Sequence, residues 1–135
     1  MLGDALGEEH GQVLVRRIVP GDGGGPAVEV SFEAKGRLLN LDSSDMGTYV
    51  SQVRPDGTLY GEGQGVLITS DGGMATWKGQ GVGRFTGKGT AVSYRGALYY
   101  QSASPSLARL NGVAAVYEYE VDENGKTSAK LWEWS

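Results

Sequence analysis

Residues 59–86 read LYGEGQGVLITSDGGMATWKGQGVGRFT and contain two strand-like segments joined by a turn at SDGG. In the first segment, glycines occupy every second position between Leu59 and Leu67. In the second, glycines alternate in the same way between Trp77 and Phe85. Because alternate residues of a strand face opposite sides of a sheet, this period of two predicts a β-hairpin with one glycine face and one charged face. The large flanking residues indicate that the glycine face is the interior.

The same alternation extends on both sides of this hairpin and predicts eight strands. Turn signals such as Pro55-Asp56-Gly57 and Asp122-Glu123-Asn124-Gly125 separate them. Ser104, Pro105 and Gly112 predict a short helical turn near residues 104–111, because they suit the start and the end of such a turn. The strands are predicted at residues 10–19, 27–41, 45–54, 58–69, 74–86, 90–102, 113–121 and 126–134.

Eight sequential strands with mostly short connections favour an all-β fold, a single closed antiparallel eight-stranded meander barrel. Closure is favoured because it removes the exposed edges that invite aggregation. A β-sandwich shows the same alternation and remains the alternative. Residues 10–135 are expected to form this one domain, and residues 1–9 are expected to be a flexible N-terminus.

Composition excludes several classes of site and partner. The 135 residues include no cysteine and one histidine, so cysteine-based chemistry is excluded and neither a metal nor a cofactor is expected. The net charge of −4 disfavours nucleic-acid binding. The first residues do not resemble a signal peptide, and no apolar run approaches the roughly 20 residues of a membrane helix. We therefore expect a cytoplasmic protein without a membrane partner.

The interior glycines need a physical explanation, because a glycine within a strand costs about 0.5–1 kcal/mol relative to alanine. They could let the strands coil and let large residues opposite fill the lumen. They could instead leave a cavity for a ligand, since eight strands enclose just enough space for either arrangement. The sequence leaves both explanations open and identifies no catalytic residue. The candidate pocket walls are Phe32, Gly63, Trp77, Gly81, Phe85, Tyr94 and Tyr117, with Tyr100 and Tyr119 as further candidates to fill the lumen.

The connector SASPSLARLNG, residues 102–112, precedes the last predicted hairpin. With the paired glycine-rich strands and the aromatic lumen, it makes residues 27–134 resemble the allene oxide cyclase-like barrels. This superfamily includes dirigent-type proteins and several bacterial families. The resemblance implies an eight-stranded barrel that binds an apolar small molecule and assembles into homo-oligomers, trimers or dimers. It carries over no catalytic residue.

The preferred hypothesis for function is a barrel that binds a small apolar molecule, with a cyclase- or isomerase-like reaction as an option. The alternative is a non-catalytic oligomeric structural or interaction protein with a filled core. Its interface would use the outward residues Tyr60, Val66, Ile68 and Val82.

The last predicted strand has two possible orientations. Either Trp132 and Trp134 face inward and Glu133 is exposed, or the reverse holds. We expect the first orientation, because two outward tryptophans would need a cover such as a subunit interface.

Overall fold

The computed structural model describes residues 1–23 and 25–135, in which eight antiparallel strands close into one barrel. Each strand pairs with the next along the chain, and the first pairs with the last. This confirms the predicted all-β meander barrel and the short helical turn. The strands are β1 (Leu2–Val19), β2 (Ala27–Leu38), β3 (Leu41–Val53), β4 (Leu59–Thr69), β5 (Met74–Phe85), β6 (Val92–Gln101), β7 (Ala115–Val121) and β8 (Lys126–Trp134), and a 3₁₀ helix (Pro105–Leu110) connects β6 to β7.

The expectation of a flexible N-terminus at residues 1–9 is wrong, because β1 begins at Leu2. Its first half pairs with β8, and the segment from Gly7 onward pairs with β2. Two register shifts interrupt the pairing with β8 between Leu2 and Gly7, so the segment lacks a regular alternation in the sequence. At Gly7 a Cβ atom would collide with the carbonyl oxygen of Arg37, so this position requires glycine. The N-terminal residues thus complete the barrel wall.

The predicted orientation of β4 and β5 is confirmed. Leu59, Leu67 and Trp77 are buried on the glycine side of these strands. Ile68 and Val82, on the other side, are 54% and 52% exposed. The glycines of both strands therefore face the lumen, as the flanking large residues indicate.

The 3₁₀ helix covers one end of the barrel. Leu107 and Leu110 are completely buried and belong to the same apolar cluster as Leu38 of β2 and Ala115 of β7. The following residue, Asn111, donates to the carbonyl of Ser102 and accepts from its backbone N–H, both at 2.9 Å. These bonds fix the connector against β6, so its two leucines act as a plug.

The expected orientation of β8 is also wrong: Trp132 and Trp134 face outward, and Trp134 is 58% exposed. Leu131 is buried and sets the register of the strand, which turns Glu133 toward the end of the barrel. Glu133 is tolerated there because Arg109 of the 3₁₀ helix donates a hydrogen bond to it at 2.8 Å.

We predict that Gly65→Ala lowers the free energy of unfolding by about 1–3 kcal/mol, the usual cost of overpacking a core. A Cβ atom at Gly65 would overlap the indole ring of Trp77. Urea denaturation followed by tryptophan fluorescence measures the change. Gln64→Ala, at the exposed neighbouring position, is the control and should leave stability within about 0.5 kcal/mol. Equal stability of the two variants would contradict close packing of Gly65 against the Trp77 ring.

Candidate functional site

The lumen of the barrel contains a cavity of about 70 Å³ beside the glycine face of β4 and β5. The backbone around Gly61, Gly63 and Gly79 forms one wall. Apolar parts of side chains form most of the other walls. Hydroxyl and carboxyl groups border the cavity at a few points. The other principal lining residues are Glu9, Phe32, Asp45, Tyr49, Trp77, Tyr94, Leu98, Tyr117, Tyr119, Ala129 and Leu131.

Five of the seven candidate wall residues lie on this cavity: Phe32, Gly63, Trp77, Tyr94 and Tyr117. The other two do not line it. Gly81 is buried behind the hydroxyl of Tyr117, which occupies the space that a Cβ atom there would need. Phe85 is the last residue of β5 and is 48% exposed, so it lies at the rim and is corrected from a wall residue to a surface residue.

Aromatic rings fill much of the space that the glycines leave. A Cβ atom at Gly83 would approach the Tyr94 ring to 2.8 Å, and one at Gly47 would approach the Trp77 ring to 2.5 Å. At Gly63 a Cβ atom would lie 2.6 Å from the carbonyl oxygen of Thr48, which is backbone and cannot move aside cheaply. The glycines are therefore required for close packing, and the cavity is the part of the lumen that the rings leave open.

Four aromatic residues form a cluster on one side of the cavity, with ring centroids 5.7–6.4 Å apart: Phe32, Tyr49, Tyr94 and Tyr119. The hydroxyl oxygens of Tyr49 and Tyr119 are 3.3 Å apart, and the hydroxyl of Tyr94 hydrogen-bonds to that of Ser51. Burial raises the pKa of Tyr49 to about 12. Burial also raises the pKa values of Tyr94 and Tyr119 above the ordinary value of 10.0. These hydroxyls stay protonated at pH 7 and can donate hydrogen bonds to a ligand.

Two acidic side chains, Glu9 of β1 and Asp45 of β3, meet at the cavity and hydrogen-bond to each other. Asp45 is 4% exposed and accepts a hydrogen bond of 2.8 Å from the indole Nε1 of Trp77. The backbone N–H of Met46 also donates to Asp45. Because β2 lies between β1 and β3, only the curvature of the closed barrel brings these two carboxyl groups together.

Burial is the main cause of a raised pKa at both acids. It raises the pKa of Glu9 to about 9, and the nearby Asp45 carboxylate and their mutual hydrogen bond add to that effect. Burial likewise raises the pKa of Asp45, while the hydrogen bonds from Glu9, Trp77 and Met46 lower it. At pH 7 Glu9 therefore keeps its proton, and the hydrogen bonds that Asp45 accepts favour the charged form of that carboxyl group.

Sequence patterns did not reveal this pair, nor Tyr49. Glu9 directly follows the segment that lacks regular pairing. Asp45 shares its face of β3 with Gly47 and Tyr49, whereas Met46 lies on the opposite face. Hydrophobicity alone would place the Met46 face inside. The one available signal was the register: Asp45 pairs with Leu67, whose inward orientation is clear.

Among residues 1–23 and 25–135, no cluster of three or more histidine, cysteine, aspartate or glutamate side chains is arranged to hold a metal ion. No helix in this part of the chain is long and apolar enough to cross a membrane.

Comparison with solved structures identifies the same barrel in proteins of very different sequence. A conserved protein of unknown function from Rhodopseudomonas palustris has a TM-score of 0.82 at 11% identity, covering 98% of this chain and 97% of its own. A β-barrel-like protein from Acinetobacter baumannii has a TM-score of 0.82 at 12% identity, covering 98% and 94%. An enzyme from Penicillium herquei has a TM-score of 0.67 at 15% identity, covering 96% and 92%. These likenesses establish the fold.

No protein-family model matches the sequence, and no curated protein matches it significantly.

We predict that the free energy of unfolding falls as the pH rises from about 4.5 to about 9. The folded state holds a proton on Glu9 over this range, whereas the unfolded state releases it near the ordinary pKa of 4.5. The stabilisation that comes from the raised pKa of Glu9 is fully present below pH 4.5 and is lost above about pH 9. Urea denaturation at pH 5, 7 and 9 measures this decline.

Glu9→Gln should remove most of the decline, because glutamine does not titrate. Glu8→Gln, at the neighbouring exposed position of β1, should retain it. Identical pH profiles for the wild type and Glu9→Gln would show that Glu9 titrates normally.

Proposed function

We propose that the barrel binds a small, uncharged and mostly apolar molecule in its cavity. The observation that carries this proposal is a carboxyl pair facing open space inside a core that is otherwise filled by aromatic rings. Burying ionisable groups next to unfilled volume costs stability, so such an arrangement is expected where a ligand uses it. Apolar walls with a few converging polar groups are typical of small-molecule sites.

The size of the cavity restricts the ligand. At about 70 Å³ it is far smaller than the roughly 300–1,000 Å³ of pockets for drug-sized molecules. It suits a molecule of about six non-hydrogen atoms, or the reacting end of a longer one. With a ceiling near −1.5 kcal/mol per atom, such a ligand gains at most about −9 kcal/mol. We therefore expect a Kd of about 0.3 μM at the tightest, and a weaker one for most ligands.

A cyclase- or isomerase-like reaction is consistent with this site. The sequence resembles allene oxide cyclase-like barrels, and the Penicillium herquei protein of the same fold is described as an enzyme. Chemistry in such a cavity would depend on positioning and on proton transfer by a few polar groups. Glu9 and Asp45 are the groups with the required character.

We also propose that the chain forms a homo-oligomer, a trimer or a dimer, through its outer face. Apolar side chains stand opposite each other on neighbouring strands there: Met46 pairs with Val66, and Ile68 with Met74. All four are more than 40% exposed. Contiguous exposed apolar residues mark interaction surfaces more often than isolated ones do. If the cavity proves to bind nothing, this assembly becomes the function, as a non-catalytic structural or interaction protein.

We predict that Ala129→Leu abolishes binding of small neutral molecules such as cyclopentanol and phenol. Ala129 lines the cavity, and the larger side chain would occupy it. Binding is measured by saturation-transfer NMR, and native mass spectrometry of the purified protein detects any retained ligand. Ser128→Leu adds a similar volume on the outward face of the same strand and should bind like the wild type. Absence of binding to the wild type would leave the filled-core alternative.

We predict that Val82→Glu lowers the mass of the assembly measured by native mass spectrometry. Val82 is 52% exposed on β5 and lies opposite Tyr60 of β4. A carboxylate there would have to be desolvated in an interface. Lys78→Gln, further along the same exposed face, lowers the net charge by the same single unit and is the control. An unchanged mass for Val82→Glu would exclude this part of the face from the interface.

A further inference from the structure

The two acids of the cavity differ in the hydrogen bonds they receive. Asp45 accepts from the indole N–H of Trp77 and from the backbone N–H of Met46, and both donors stabilise a negative charge. Among residues 1–23 and 25–135, Glu9 has no comparable donor. The charge therefore resides on Asp45, and the shared proton resides on Glu9. An acid and a base consequently face the same small apolar volume, joined by a hydrogen bond.

Within the part of the chain that the structure describes, no basic side chain forms an ion pair with Glu9 or Asp45, and the ion pairs lie elsewhere. An anionic ligand would be repelled by the Asp45 carboxylate, and the apolar wall at Leu98 and Leu131 would not solvate it. A neutral ligand with a hydrogen-bond acceptor suits a protonated acid, and a carbonyl group is the simplest such acceptor.

Resting on the proposed binding function, we propose that Glu9 and Asp45 form an acid–base dyad that interconverts the keto and enol forms of a small neutral carbonyl compound. Glu9 donates its proton to the carbonyl oxygen. Asp45 removes a proton from the adjacent carbon. The same step would serve the shift of a carbon–carbon double bond or a ring closure through an enol.

The step balances without any further reactant. The O–H bond of Glu9 breaks as the enol O–H bond forms, and the C–H bond breaks as Asp45 gains a proton. The electron pair of the C–H bond becomes the new C=C bond, and the π pair of the carbonyl takes up the proton from Glu9. Asp45 then returns its proton to Glu9 across the hydrogen bond that joins them. The dyad is regenerated, and neither an oxidant nor a reductant is needed.

The pH dependence of the dyad depends on the groups that face it from the neighbouring strands. Tyr100 of β6 and Tyr119 of β7 approach it, and burial raises the pKa of each well above 10. β5 contributes Trp77, and β8 contributes Ala129. β2 and β4 contribute Phe32, glycine backbone and Glu62, which is exposed. Proton transfer should therefore weaken as the pH rises through the pKa of Glu9, because the acid is then lost.

The test is exchange of α-hydrogen for deuterium in acetone and cyclopentanone, followed by ¹H NMR in D₂O with the intact protein. The wild type should accelerate the exchange, and Glu9→Gln should reduce that acceleration by about 100-fold, the usual contribution of a positioned acid or base. Glutamine keeps the size and neutrality of the protonated acid, so this variant should fold. Asp45→Asn should show the same loss where it folds. Glu8→Gln and Asp42→Asn, both on exposed positions, should exchange like the wild type.

Saturation-transfer NMR of the same samples separates this proposal from the proposed function. Binding of a ketone, with exchange lost in Glu9→Gln, supports the dyad. Ketone binding without exchange, or with equal exchange in Glu9→Gln, overturns the dyad and leaves ligand binding intact. Cyclopentanol binding without ketone binding overturns the carbonyl class alone.

Trimethylamine is the fourth probe, because aromatic rings beside a carboxylate also suit ammonium groups. Binding of this amine alone, tightening as the pH rises, would overturn the carbonyl class in favour of a cation.

Discussion

The hydrogen bond from the indole of Trp77 to Asp45 connects the packing of the barrel to the chemistry of its cavity. The Trp77 ring extends from β5 across the lumen and occupies the space above Gly65 of β4 and Gly47 of β3. The far edge of the ring contacts the Asp45 carboxylate and shields it from water. The hydrogen bond from the indole N–H offsets part of the cost of burying that charge. A side chain that fills the core thereby fixes the orientation of an acid that the core would otherwise exclude. The position of Glu9 follows, because its proton is held toward this oriented carboxylate.

The two explanations for the interior glycines turn out to apply to different parts of the lumen. Most glycine positions lie against a ring or a backbone carbonyl, so they serve close packing of the strands and of the aromatic residues opposite. The cavity lies beside Gly61, Gly63 and Gly79. A larger residue at one of these glycines would therefore disturb the packing of the core, so its effect on ligand binding could not be assigned to a filled cavity. Substitution at Ala129, on the opposite wall, separates the two effects.

The fold was accessible from the sequence because β4 and β5 combine a strict period of two with large residues at both ends of the glycine face. The carboxyl pair was not accessible, because its members violate the rules that make strands recognisable. Asp45 lies on the inward face of β3 while Met46 faces out, 63% exposed. Glu9 follows a stretch whose pairing with β8 is irregular. The orientation of Trp132 and Trp134 failed for a related reason: an inward Glu133 is tolerated only because Arg109, distant in sequence, reaches it.

The two buried acids depart from regular patterning at the place where the protein accepts a loss of stability. A core that needed only to be stable would replace Glu9 and Asp45 with apolar residues, since well-packed hydrophobic side chains often match or exceed buried polar pairs. Retaining the pair requires Glu9 to take up a proton on folding, which makes stability depend on pH. It also requires unfilled volume, which forfeits the dispersion contacts of its lining. Local rules broken together, at one cavity and at a cost in stability, support the proposal that this cavity acts on a ligand.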